Sequence, residues 1–237
     1  MNRLYQKSKI WFAILWIVLY VVGTGAADAI SRTIGLEKSI TLAYLAVLTA
    51  ISIRWLCKNG LLREFGLCKP SFPAKQLLFY IPLIVMASCN LWFGVQWNYS
   101  PAESVLYVLS MLLVGFLEEL IFRGFLFNAM RNDSLKAAVI VSSLTFGIGH
   151  IVNLVNGSGA ELLPNLLQVC YAAAAGFLFV ILFIRTGSLL LCILTHSVLN
   201  ALSAFTVALN MWQDILVFAA LCVISIGYGL FVLKKRQ

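Results

Sequence analysis

The chain has 237 residues, of which 62% are hydrophobic and only 11% charged, and its mean hydropathy is +0.96. That balance excludes an ordinary soluble domain. The net charge of +8 does not signal a nucleic-acid partner, because the basic residues sort into loops rather than forming a patch.

A membrane-spanning helix needs about 20 mostly apolar residues. Reading in chain order predicts eight, near 10–29, 40–57, 77–95, 105–127, 136–155, 162–184, 187–207 and 213–233. The expected fold is therefore all-α: a polytopic membrane helix bundle of about eight transmembrane helices, with a polar active site inside it. Residues 1–237 read as a single integral membrane domain, without a Pro-, Gly- or Ser-rich linker or an internal repeat.

With eight spans, Arg3, Lys7, Lys9, Arg54, Lys58, Arg63, Lys69, Lys75, Arg131, Lys136, Arg185, Lys234, Lys235 and Arg236 fall on one side. Glu103, Glu161 and Asp214 fall on the other, with Arg32 and Lys38. By the positive-inside rule both termini are expected in the cytoplasm, and the expected location is a bacterial plasma membrane. The basic start, the first apolar run and Ala27-Asp28-Ala29 also resemble a cleavable secretory signal. However, the run is long for one, and seven further spans follow it. The stretch 58–76 reads as a cytoplasmic loop lying on the membrane surface. The six cysteines show neither CxxC nor Cys/His ligand spacing and read as packing residues without disulfides.

Ionisable groups are rare in the hydrocarbon region, where each costs on the order of 2.5–3.5 kcal/mol on insertion scales. Three spans carry them. In the fourth, Glu118-Glu119-Leu-Ile-Phe-Arg123 places Glu119 and Arg123 at i,i+4, so that they can pair. Glu118 points about 100° away and has Phe122 at i+4, which leaves it free to act as a general base. The competing reading is a set of interfacial charges snorkelling at a helix end. In the fifth span, Phe146-Gly-Ile-Gly-His150 puts Phe146 and His150 on one face, with Gly147 and Gly149 permitting close backbone approach. In the seventh, His196-Ser-Val-Leu-Asn200 places two donors on one face, suited either to a developing oxyanion or to an interhelical clamp. All three stations are expected near the middle of their spans. The AAAAG run at 172–176 reads as a small-residue packing face.

These motifs, EELIFRG, FGIGH and HSVLN, resemble the ordered Glu-Glu-x-x-x-Arg, Phe-x-x-x-His and His-x-x-x-Asn set of the CPBP family, the CAAX-protease and bacteriocin-processing intramembrane peptidases. The resemblance covers roughly residues 100–205, the expected catalytic core. It implies an endopeptidase cutting a peptide or membrane-tethered substrate, such as a CAAX tail, a pheromone or a bacteriocin precursor. It further implies that Glu118 activates water, His150 orients it, His196 and Asn200 stabilise the oxyanion, and Glu119 and Arg123 tune the site. The family is commonly described as metalloproteases, and zinc would take Glu118, His150 and His196. No His-Glu-x-x-His pair is present, and a metal-free, glutamate-activated water is the expectation favoured here. The alternatives are a non-catalytic immunity or scaffold protein of the same fold and a proton-coupled transporter. The expected partners are the substrate and the lipid bilayer, with no nucleic acid; oligomeric state is not legible.

Overall fold

The computed structural model describes residues 1–71, 80–157 and 159–234. Its elements are α1 (Asn2–Lys7), α2 (Lys9–Ile34), α3 (Ser39–Lys58), α4 (Ile81–Ala87), α5 (Pro101–Glu119), α6 (Asn128–Met130), α7 (Leu135–Gly149), α8 (Leu162–Thr186), α9 (Leu190–Leu202) and α10 (Met211–Lys234). A π-helical stretch, Leu120–Phe127, joins α5 to α6 without a break. There are no strands among the described residues.

Polar residues next to the apolar runs fix the helix ends. Ser8 accepts from Trp11 N to start α2, and Gly35 closes it with a positive φ of 76°. Ser100 and Glu103 form a capping box ahead of α5, with Pro101 in the first turn, where its missing N–H costs nothing. Ser134 accepts from Ala137 N to open α7.

Six of these helical stretches are long and apolar enough to cross a membrane: 9–34, 39–58, 101–130, 135–154, 162–186 and 211–234. Their outward faces carry side chains that a soluble surface would not tolerate, among them Trp11, Val22, Leu162, Trp212, Leu216 and Val223, each more than 60% exposed. Lipid satisfies such a belt. The chain is an integral membrane protein.

The two remaining predicted spans are present as shorter helical pieces. Of span 77–95, residues 77–79 lie outside the described residues. The rest forms α4, a 3-10 turn (Cys89–Leu91) and irregular chain. Pro82 sits in the first turn of α4, and Gly94 turns at φ 126°. This segment spends its polar groups on the end of α9. Asn90 donates to Leu199 O (2.7 Å), Gln96 N to Phe205 O (2.9 Å), and Asn98 to Ala204 O (3.1 Å) and Thr206 O (2.9 Å). Span 187–207 is α9 plus a 3-10 turn, Ser203–Phe205. At 13 residues α9 rises only about 20 Å, and the freed carbonyls beyond it are those satisfied by residues 90–98. Irregular backbone at such depth survives only where protein satisfies it.

The stretch expected to lie on the membrane surface is instead drawn into the bundle end as far as residue 71; residues 72–76 lie outside the described residues. Phe65 is 2% exposed and stands edge-on to Phe125 at 5.2 Å. Leu189 N donates to Gly66 O, and Ser188 Oγ to Cys68 O. Phe12, Trp16 and Trp55 complete this aromatic end of the core. All six cysteines are free. Ala27-Asp28-Ala29 lies inside α2, where Asp28 binds Lys38 at 2.8 Å and Thr41 at 2.5 Å.

Small residues set the helix spacing around the future site. A Cβ on Gly115 of α5 would lie 2.7 Å from the Ser197 backbone of α9. One on Gly147 of α7 would lie 2.8 Å from Val169 O and Ala173 Cβ of α8. Gly149, by contrast, faces open space, so of the two glycines expected to permit close approach only Gly147 does.

Candidate active site

The site begins where α5 gives way to the π-helical stretch. Glu119 is the last residue of α5 and Arg123 lies within the wider turn. Their side chains are both fully buried and meet at 3.1 Å (Nη1 to Oε1). This removes the reading of charges snorkelling at a helix end. The Arg123 guanidinium lies 4.1 Å over the Phe146 ring and 5.6 Å from that of Phe179, and Gly176 leaves room for it: a Cβ there would lie 3.1 Å from Arg123 Nη2. A π turn displaces backbone carbonyls from their i+4 partners. One of them, Phe122 O, accepts from Ser142 Oγ of α7 at 2.9 Å.

His196 of α9 joins the two glutamates. Its Nδ1 donates to Glu119 Oε1 at 2.8 Å, and its Nε2 faces Glu118 Oε2 at 3.3 Å. Glu119 Oε1 thus receives both Arg123 and His196, and its other oxygen has no hydrogen-bond partner among the described residues. Glu118 Oε1 accepts from the Tyr20 hydroxyl of α2 at 2.8 Å. Three helices therefore meet on Glu118 and Glu119, with His196 6% exposed.

His150 lies at the junction of α7 with a 3-10 turn, His150–Leu154, nearer the end of its span than expected. Its Nδ1 is 3.1 Å from Phe146 O. A carbonyl can only accept, so Nδ1 carries the proton and a neutral ring presents a bare Nε2. Asn165 of α8 donates to His150 O at 2.9 Å and pins the turn. The Phe146 ring stands edge-on between the histidines, 5.2 Å from His150 and 5.6 Å from His196.

Glu118, His150 and Asn200 line one cavity of about 570 Å³. One wall runs along α5 through Tyr107, Met111, Val114 and Glu118 to Phe122 of the π-helical stretch, and its α2 wall through Tyr20, Thr24 and Asp28. It reaches from the glutamates to the end of the bundle that holds Lys38, Asn156 and Asp214. Among the described residues the Asn200 side chain makes no hydrogen bond, and His196 is turned from the cavity toward the carboxylates. The structure thus brings five of the six expected residues into one hydrogen-bonded cluster or cavity wall around Glu118, while Arg123 lies behind them on Glu119.

Sequence reading passed over Tyr20 and Asn165. Tyr20 follows Trp11, Phe12 and Trp16 in the apolar run of α2 and carries no motif. The only signal was a polar hydroxyl near the middle of a span, the same kind of signal that marked the histidines.

The fit to zinc is poor as arranged. Among the described residues no three His, Cys, Asp or Glu side chains gather as a ligand set. His196 has both ring nitrogens turned to carboxylates, and His150 and His196 are separated by the Phe146 ring.

A buried Glu-Glu-Arg-His cluster thus lies beneath a cavity, within a bundle of helices long and apolar enough to span a membrane. Residues 100–202, the segment that carries Glu118, Glu119, Arg123, His150, His196 and Asn200, match the family described as Type II CAAX prenyl endopeptidase Rce1-like. No curated protein and no solved structure matches the chain.

Proposed function

We propose that the protein is a membrane endopeptidase that hydrolyses a peptide bond with a water activated by Glu118. The observation that carries this reading is the bridging of Glu118 and Glu119 by His196, 3.3 and 2.8 Å away, at the deep end of the cavity.

Two hydrogen bonds along Glu118–His196–Glu119 need two protons, because every oxygen involved is an acceptor. The neutral imidazole supplies one, at Nδ1. A second, taken from water by Glu118 Oε2, has His196 Nε2 as its neighbour, so the pair can hold it while the tetrahedral intermediate lives. His150 Nε2, left bare by the bond to Phe146 O, accepts the other hydrogen of the water and aims its oxygen at the scissile carbonyl. As the C–O bond forms, charge collects on the carbonyl oxygen. Asn200 Nδ2 donates to it, and the Glu118/His196 pair, neutral once it holds the proton, no longer opposes the developing charge. Collapse breaks the C–N bond, and the stored proton passes to the leaving amine. The hydroxyl of water ends on the acyl product and its proton on the amine, so no other reactant is needed. Arg123, fixed over Phe146, pairs with Glu119 and so holds the carboxylate that orients His196.

The substrate reaches this point through the cavity, from the end that holds Lys38, Asn156 and Asp214. α1 meets the end of α3 through Asn2, which donates to Asn59 and accepts from Trp55, and the end of α8 meets that of α10 through Arg185, which donates to Leu233 O; this end carries Lys7, Lys58 and Arg185. Charge sorting makes that basic end cytoplasmic, so the peptide is supplied from the non-cytoplasmic half of the membrane. A pheromone or bacteriocin precursor fits this supply better than a cytoplasmic CAAX tail.

The test is comparative peptidomics of membranes from cells producing the wild-type protein or Glu118→Ala. Peptides with new termini should appear only with the wild type. Identical peptide profiles, with both proteins present at equal levels, would leave a non-catalytic scaffold as the better account.

A further inference from the structure

We infer that Tyr20 is a positioning residue of the hydrolytic site, although it lies on α2, outside the segment that carries the family motifs. The inference rests on the peptidase reading of Glu118. Its phenol is 6% exposed and donates to Glu118 Oε1 at 2.8 Å, while the ring edges the same cavity as His150 and Asn200.

A glutamate side chain has three rotatable bonds, and among the described residues neither Glu118 oxygen receives a backbone N–H. Two contacts therefore define the carboxylate plane: His196 on Oε2 and Tyr20 on Oε1. Losing the first leaves the second as a pivot, and losing the second lets Oε2 swing away from His196. The phenol also determines which oxygen works. By occupying Oε1 it directs proton transfer to Oε2, the oxygen beside His196, where the abstracted proton can be held. An apolar residue at position 20 would pack equally well against the neighbouring helices. The hydroxyl, placed next to a membrane-buried carboxylate, has a further use, since packing alone requires only the ring.

The family segment thus supplies the reacting groups, and α2 supplies the clamp that aims them. A core consisting of residues 100–202 alone would hold Glu118 by one contact instead of two.

The experiment uses the full chain in detergent micelles and a quenched-fluorescence copy of a peptide whose cleavage in membranes depends on Glu118. Tyr20→Phe keeps the ring and removes one oxygen. The expected result is a fall in kcat of about 10- to 100-fold, as for a hydrogen bond to a charged group, with KM within about twofold and an unchanged thermal midpoint. The second variant, Tyr20→Leu, should lose kcat to the same degree even if its stability also falls. In a Glu118→Gln background, Tyr20→Phe should cause no further loss, because the residue acts only through the carboxylate. Wild-type kcat in Tyr20→Phe, with Glu118→Gln inactive, would overturn this inference and leave the peptidase reading intact. If no peptide depends on Glu118, both fall together. A rise in KM with kcat preserved would also overturn it, by making Tyr20 a substrate-contacting wall residue.

Discussion

Glu118 and Glu119 are neighbours in sequence, yet their substitution should have opposite consequences. Glu119 is fully buried and shares one oxygen between Arg123 and His196. In Glu119→Gln the shape is kept and the charge removed, leaving a guanidinium with 0% exposure that cannot shed its proton. Breaking a buried ion pair by removing one partner costs about 3–5 kcal/mol. The partly compensating cation–π contact with Phe146, at 4.1 Å, is present in both proteins and so does not reduce the difference. For a chain of this size about 2–4 °C accompanies each kcal/mol, so the unfolding midpoint should drop by roughly 6–20 °C. In Glu118→Gln the amide oxygen can still accept from Tyr20 and the amide nitrogen can donate to His196 Nε2. Its stability should change by less than about 1 kcal/mol, while peptide cleavage is abolished. Tryptophan fluorescence in detergent follows both unfolding curves, and the fluorogenic peptide follows activity. A Glu119→Gln protein as stable as wild type would refute the argument, because the buried pair would then carry no weight in the fold. So would a Glu118→Gln protein that unfolds early.

Two further outcomes test the geometry and the chemistry. Gly147→Ala should destabilise by about 1–3 kcal/mol through forced contact with α8. Gly149→Ala, two residues along the same helix and facing open space, should be neutral or slightly stabilising; equal midpoints for the two variants would contradict the close crossing of α7 and α8. Peptidase activity should survive extended treatment with 1,10-phenanthroline. Loss on chelation, restored by added zinc and not by magnesium, would bring Glu118, His150 and His196 together as metal ligands and replace the mechanism given above.

Composition and hydropathy were enough to read a helical membrane bundle, because the hydrocarbon interior permits few other solutions. They could not show that two of the apolar runs are interrupted. Asn90, Gln96 and Asn98 look like residues of a loop, and only the packed structure reveals that they complete the hydrogen bonding of α9. The spacing of Glu119 and Arg123 anticipated their pair correctly, since i,i+4 neighbours meet on a helix whatever surrounds them. Nothing in Leu120–Phe127 announced a wider turn: the pattern of apolar residues there is compatible with either winding. Partnerships between helices were the least legible. The motif order suggested that Glu118, His150 and His196 share a site, yet single-helix periodicity cannot say that His196 turns to the glutamates while Asn200 turns to the cavity. Tyr20, 98 residues from Glu118, had no pattern to belong to.

The cavity wall has a consequence for how such a protein diversifies. Its reacting groups sit on α5, α7 and α9, whereas much of the surface a peptide would slide along, from Thr24 and Asp28 on α2 to Val217, Phe218 and Leu221 on α10, belongs to helices outside the matched segment. Chemistry and selectivity are thus carried by different stretches of one chain. Exchange of α10 and of the α2 wall around Thr24 and Asp28, with Tyr20 retained, should transfer the choice of peptide while leaving the hydrolytic machinery in place.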